Sequence, residues 1–148
     1  MRIIYPLRGY AAYLEVEGVP PVTPWRKDGY HPILEKVYSG NIFLKRFWHL
    51  IRHSDSGGCY FPIDFPNPII LKDVSPEDAS VGSSQRLLAE LEELNLHLKM
   101  PSDYPPAGSF EFYDLVKNDP WETEKYVWAT LHWFARESTS RNLLLCFG

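Results

Sequence analysis

The sequence predicts an α+β protein with one domain over residues 1–148, in which a small, mostly antiparallel sheet is packed by about five helices. Two observations lead to this fold class. Segments with apolar residues at helical spacing take up more of the chain than segments in which apolar and polar residues alternate. The chain also ends in a wholly apolar run, residues 143–147, directly after a long helical pattern. We expect that run to be an interior or nearly interior strand, because such strands are covered on both faces.

The long helix before that strand is predicted over residues 119–138. Asp119 is its expected N-cap, Pro120 suits the first helical position, and Glu122 is the capping-box partner. A polar cluster beginning at Ser138 is expected to end it. A narrow polar stripe comprises Lys125, Ala129, His132 and Arg136. The remaining circumference is apolar and comprises Trp121, Tyr126, Val127, Trp128, Leu131, Trp133 and Phe134. This pattern predicts a helix that is packed on several sides and covers the sheet.

The first half of the chain predicts one strand and two helices. Alternation over residues 10–16 indicates a strand, which the prolines of the following segment cannot continue. A short helix begins near Pro32 and ends at Gly40, where a left-handed residue fits. Asn41 is expected to cap a second helix that runs to about His53. The inner stripe of that helix comprises Phe43, Phe47 and Leu50.

The middle of the chain predicts short strands and two further helices. Residues 59–65 alternate but contain a proline, which is typical of an edge strand or of an irregular one. Residues 67–71 add a short strand, and residues 73–82 are predicted to form a polar loop. Ser83 or Ser84 is expected to cap a helix reaching Met100, and Ser109 a helix reaching Lys117. The stripe of the longer helix comprises Leu87, Leu91, Leu94 and Leu98.

Charge is unevenly distributed along the chain. Residues 1–72 contain 9 Lys+Arg and 6 Asp+Glu, a net charge of +3, whereas residues 73–148 contain 6 and 13, a net charge of −7. An acidic balance argues against binding nucleic acid, which requires a basic face. The acidic residues could instead attract a basic protein partner, or could merely keep helices solvated.

The chain is expected to be a cytoplasmic protein that does not enter the membrane. No apolar run is long enough to span a bilayer, and the first residues lack the apolar core of a signal peptide. Cys59 and Cys146 lie in apolar, strand-like segments. Two buried free thiols are therefore favoured over a disulfide.

One group of residues could support chemistry. His49 and His53 are four residues apart and would share a helix face, where both could bind zinc with the thiolate of Cys59. The same residues could form a cysteine–histidine nucleophile pair oriented by Asp55. Further ligands are not evident, so we predict no metal, no cofactor and no enzymatic activity. The alternative is a small hydrolase or metal-dependent enzyme centred on His49, His53 and Cys59.

A protein-binding role fits the sequence better than an enzyme. Trp25 lies between prolines and two cations, in a loop of the kind that anchors interfaces. In general character, as a small, acidic, single-domain chain, the protein resembles the immunity proteins of bacterial toxin systems. That resemblance implies an inhibitor that binds a cognate toxin, a basic domain, through the acidic second half. The partner-binding residues expected on this hypothesis are Trp25, Glu90, Glu93, Glu111, Asp114, Glu122 and Glu124.

Overall fold

The computed structural model describes residues 4–20, 32–53, 58–72 and 79–146. It confirms the α+β class. The helices are α1 (Tyr5–Glu17), α2 (Pro32–Tyr38), α3 (Trp48–Ile51), α4 (Ser84–Leu98), α5 (Phe110–Val116) and α6 (Glu122–Arg141). The strands are β1 (Gly58–Phe61), β2 (Ile69–Leu71), β3 (Ala79–Ser83) and β4 (Leu145–Cys146). Within the described ranges, no helix is both long enough and apolar enough to cross a membrane.

The four strands form one mixed sheet in the order β2-β3-β1-β4. The central strands β1 and β3 are parallel, with Tyr60 opposite Gly82. The two edge strands, β2 and β4, pair antiparallel with β3 and β1. Strand β4 is therefore a two-residue edge strand, and the prediction of an interior position is wrong. Its apolar neighbours Leu143 and Leu144 are exposed, so the apolar run does not mark burial on both faces.

The core is built around α4 and α6, which pack along each other. All four leucines of the predicted α4 stripe are buried, as expected from their helical spacing. The indole N–H of Trp128 donates a 2.7 Å hydrogen bond to the carbonyl oxygen of Leu91, which fixes the two helices relative to each other. Helix α6 also packs on α1, and its contact with the sheet is small. The expectation that α6 covers the sheet is therefore wrong.

Helix α1 lies where the sequence predicts a strand over residues 10–16, so that prediction is wrong. Leu7, Tyr10, Ala11 and Leu14 are all buried, and their spacing is that of one helix face. The helix ends at Gly18, whose φ of +79° is the left-handed conformation of a helix C-cap. The alternation of residue types over residues 10–16 is therefore a coincidence, and the helical spacing of the buried residues is the pattern that the fold follows.

The helix predicted from Asn41 to His53 is much shorter in the structure. Only α3 is helical, because Phe47 adopts a left-handed conformation with φ of +60°. The Glu15 carboxylate accepts hydrogen bonds from the amide groups of Lys45 (2.8 Å) and Arg46 (2.6 Å), which satisfies a non-helical backbone. These contacts come from α1, so the local sequence does not reveal them.

The prediction of a loop over residues 73–82 is wrong at its end, because Ala79–Ser83 form the central strand β3. Residues 73–78 lie outside the described residues, but β3 follows directly and is largely buried. Its small residues include two serines and a glycine and give only a weak apolar signal. A Cβ on Gly82 would lie 2.5 Å from the ring of Tyr60, so the strand needs a residue without a side chain there. Close packing, not hydrophobicity, determines this strand.

Helix α6 begins two residues later and ends three residues later than the sequence predicts. Its N-cap is Trp121, and Asn142 ends it in a left-handed conformation. Ser138 does not break the helix, because its hydroxyl hydrogen-bonds the Ser84 hydroxyl at 2.8 Å and the Leu143 carbonyl at 2.6 Å. Asp119 nevertheless stabilises the helix start. Its carboxylate accepts a 2.7 Å hydrogen bond from the Trp121 amide and lies 2.5 Å from the Lys125 ammonium.

Asp119→Ala is expected to lower the free energy of unfolding by roughly 0.5–2 kcal/mol. Partial burial opposes ionisation of Asp119, but the hydrogen bonds from Lys125 and Trp121 hold the pKa of this carboxyl below its ordinary value. Urea denaturation measures the loss. Asp114→Ala is the matched control, because Asp114 makes an exposed ion pair with Lys117 and its loss should change stability much less. Equal stability of the Asp119 variant and the wild type would contradict this role.

Candidate functional site

The histidines of the enzyme hypothesis are buried structural residues. The Nδ1 atom of His49 accepts a 2.9 Å hydrogen bond from the Ser83 amide, and its Nε2 atom lies 3.0 Å from the Pro66 carbonyl oxygen. Burial lowers the pKa of His49. His53 stacks on the Tyr60 ring at 4.0 Å. Both ring nitrogens of His49 are thus used within the fold.

Cys59 and Cys146 form a disulfide across strands β1 and β4. The expectation of two free thiols is therefore wrong. The two cysteines are opposite one another in antiparallel strands, an arrangement that the sequence alone cannot show. Cys59 has no free thiol for a metal or a nucleophilic attack in this state, and Asp55 lies outside the described residues. In the described part of the chain, no three His, Cys, Asp or Glu side chains are grouped so that they could hold a metal.

Glu90 is a structural carboxylate and not part of an exposed acidic surface. Its two oxygens accept hydrogen bonds from the amide groups of His49 (3.0 Å) and Leu50 (2.9 Å), at the start of α3. Burial raises the pKa of Glu90 to about 7, although these hydrogen bonds lower it. Arg8 binds the other end of α3 through the carbonyl oxygens of Leu50 (2.7 Å) and His53 (2.5 Å). Side chains from α1 and α4 therefore cap the short helix at both ends.

Glu124 is also inaccessible to a binding protein, because its side chain is fully buried (0% exposed). It lies near Tyr10 of α1, where burial and then the charge of Glu124 raise the pKa of the tyrosine. The sequence places Glu124 beside an apolar stripe and predicts that it stays exposed. Packing of α1 against α6 covers it instead, so Glu90 and Glu124 are corrections to the predicted binding residues.

The other predicted acidic residues lie on the surface. Glu93 forms an ion pair with Arg46, and Asp114 lies 3.0 Å from the Lys117 ammonium. Glu111 and Glu122 are exposed. Neither forms an ion pair among the described residues. Trp25 lies outside the described residues, so the structure does not place it.

An aromatic surface lies beside these carboxylates, on α5 and α6. Phe110 is 86% exposed, Tyr113 57%, Trp133 50% and Phe134 43%. The sequence predicts that Trp133 and Phe134 are packed and that His132 belongs to an outward polar stripe. The structure reverses this arrangement, because α4 and α1 cover the side of α6 that carries Trp128 and His132. Exposed apolar surface of this extent is typical of an interaction site.

Tyr126 separates two open grooves in this surface. The first has a volume of about 310 Å³ and lies between α5 and the start of α6, where Tyr113 and Glu122 line it. The second has a volume of about 300 Å³, and its lining includes Tyr104, Trp133 and Phe134. We call the two grooves and their exposed rings the α5–α6 surface. Neither groove has a lysine or arginine among its described lining residues.

A third cavity, of about 510 Å³, lies on the other side of Tyr104. His132 lies within it, 2.9 Å from the Tyr104 hydroxyl and stacked on Trp128 at 4.4 Å. Burial lowers the pKa of His132, and the Glu92 carboxylate, 3.7 Å away, opposes that effect. Arg136 lines the same cavity. The hydrogen bond fixes Tyr104, whose ring also lines the second groove.

The fold and this surface define a class: an acidic α+β protein that carries exposed carboxylates beside exposed aromatic rings. Residues 1–147 match the model of the family described as "Putative DNA-mimic protein", and the chain belongs to that family. No curated protein and no solved structure matches the chain.

Family membership corrects the functional hypothesis from the sequence. DNA mimics are a different kind of protein from the immunity proteins of toxin systems, so that resemblance and the toxin partner are wrong. The enzyme alternative has no support either, since DNA-mimic families are generally not enzymatic. The excess of acidic residues argues against binding nucleic acid. The same negative charge is the property by which a protein can imitate nucleic acid.

Proposed function

We propose that the protein is a DNA mimic that binds the DNA-contacting surface of a DNA-binding protein and thereby competes with DNA. The observation that carries this proposal is the match of residues 1–147 to a DNA-mimic family. We further propose that it acts by binding alone, without catalysis. We also propose that the protein acts in the cytoplasm, the compartment that the sequence predicts.

The exposed carboxylates of the second half support this proposal. Glu111 and Asp114 are three residues apart on α5 and therefore lie on the same helix face, separated by roughly 4.5 Å along the axis. Glu122 extends the acidic surface to the start of α6. A protein surface that neutralises DNA phosphates with lysine and arginine would meet exposed carboxylates here.

The partner should be released from DNA by the purified protein, and this is the test of the proposal. Proteins of the source cell are retained on immobilised duplex DNA, and the purified chain is applied. We expect selective elution of a DNA-binding protein, which mass spectrometry identifies. Its affinity for the chain should fall as the salt concentration rises from about 50 to about 200 mM, because salt screens exposed charges.

Charge-reversal variants test where the partner binds. The double variant Glu111→Lys/Glu122→Lys should weaken binding at least about tenfold and slow association, because opposite charges guide the encounter. The matched control is Glu17→Lys/Glu35→Lys, which makes the same change in net charge at exposed sites on α1 and α2. Failure of the chain to release any protein from DNA would contradict the function. Equal losses in both double variants would show that net charge, and not this surface, determines binding.

A further inference from the structure

We propose that the two grooves of the α5–α6 surface accept arginine side chains from the partner's DNA-contacting surface. This inference rests on the proposed function and specifies what the partner presents. Carboxylates alone would bind lysine and arginine by charge. Exposed aromatic rings beside a carboxylate make a surface that distinguishes between them.

The rings that form the grooves are held in place and remain accessible. Trp133 and Phe134 meet edge to face, with ring centroids 5.0 Å apart. Tyr126 contacts buried Phe112 in the same manner at 6.1 Å. Since neighbouring contacts fix the ring orientations, a partner side chain would not have to order them on binding. Preorganised surfaces of this kind lose less entropy when a complex forms.

The charge of the first groove fits a cation, whereas the second groove offers aromatic rings and has no carboxylate among its described lining residues. Glu122 lines the first groove directly. The nearby lysines are engaged elsewhere, Lys117 with Asp114 and Lys125 with Asp119. Arg136 lines the cavity on the opposite side of Tyr104. A guanidinium group that enters the first groove could stack on a tyrosine ring and hydrogen-bond the Glu122 carboxylate.

Arginine stacking on aromatic rings already occurs within this fold. The guanidinium carbon of Arg52 lies 4.4 Å from the centroid of the Trp48 ring, and that of Arg46 lies 4.9 Å from the Phe47 ring. Arginine is suited to such contacts because its guanidinium is planar and weakly hydrated, whereas the lysine ammonium is compact and strongly hydrated. DNA-binding proteins use arginine to contact guanine and to enter narrow minor grooves. A mimic that selects arginine would therefore select the side chains that read DNA.

The test compares two fluorescent peptides of equal charge, one of ten arginines and one of ten lysines. We expect the wild-type protein to bind the arginine peptide about 5-fold more tightly, because a planar guanidinium stacks on an aromatic ring better than an ammonium group does. The preference should persist at about 300 mM salt while both affinities fall. Tyr126→Leu and Trp133→Leu should each reduce the preference, and the double variant should remove it without changing the affinity for the lysine peptide.

Phe43→Leu is the matched control, because Phe43 is an exposed aromatic residue (72%) that lines neither groove. It should leave the preference unchanged. Equal affinities of the wild type for the two peptides would overturn the inference, as would a preference that survives the double leucine variant. These outcomes are separate from the DNA-release experiment. A chain that displaces a protein from DNA but does not prefer arginine retains the proposed function and loses this inference.

Discussion

Removing the Cys59–Cys146 disulfide is expected to lower the free energy of unfolding by about 4 kcal/mol. The two cysteines are separated by 87 residues, so the bond closes a loop of more than half the chain. A cross-link over so long a loop restricts the unfolded ensemble strongly. It also holds the two-residue strand β4 on β1, which hydrogen bonds over so short a pairing would secure only weakly.

The measurement is urea denaturation of the wild type, with and without reductant, and of the variant Cys59→Ala/Cys146→Ala. The reduced wild type and the double variant should both be less stable than the oxidised protein, by similar amounts. Reductant should not affect the double variant, which serves as the control for non-specific effects. An unchanged midpoint for the reduced wild type would contradict the prediction. Because disulfides are uncommon in the cytosol, alkylation of thiols in freshly lysed cells should establish which state is present there.

Glu90→Ala is expected to destabilise the protein by about 3 kcal/mol, because it leaves the amide groups of His49 and Leu50 without their acceptor at the start of α3. Unsatisfied buried donors cost about 1–3 kcal/mol each. The substitution also leaves a cavity between α3 and α4. Glu93→Ala is the matched control on the same helix, because Glu93 makes an exposed ion pair worth at most about 1 kcal/mol. Similar losses in both variants would contradict a structural role for Glu90.

The same carboxyl should make stability depend on pH. Burial raises the pKa of Glu90 from 4.5 to about 7, so the folded protein binds this proton more tightly than the unfolded chain. The stabilisation that comes from protonating Glu90 is therefore fully present below about pH 4.5 and is lost as the pH rises towards about 7. His49 and His132 act in the opposite direction, because burial lowers their pKa values. The stability of the wild type relative to Glu90→Gln isolates the carboxyl and should fall between about pH 4.5 and about pH 7. A difference that is constant with pH would contradict this assignment.

Several elements could be predicted from the sequence because their signals are local. Ser83 and Ser109 cap α4 and α5 as predicted, since an N-cap side chain bonds an amide only three residues ahead. The leucine stripe of α4, helix α2 and strand β2 also follow from short-range patterns. The acidic excess of the second half is a property of composition, and the prediction of a protein partner rests on it. Composition could not identify the partner, because acidic chains of different families share it.

The remaining features could not be predicted, because each depends on contacts between segments that are distant in the chain. Glu15 holds the non-helical backbone before α3, and Glu90 caps the start of α3; they lie about 30 and about 40 residues away in the chain from the amide groups that they bind. Glu90 is a buried cap and Glu93, one turn later, is at the surface; the two have the same chemistry and differ only in what packs beside them. The α5–α6 surface arises in the same way. Helix α6 is aromatic around most of its circumference, and the positions of α4 and α1 determine that Trp128 is buried while Trp133 is exposed.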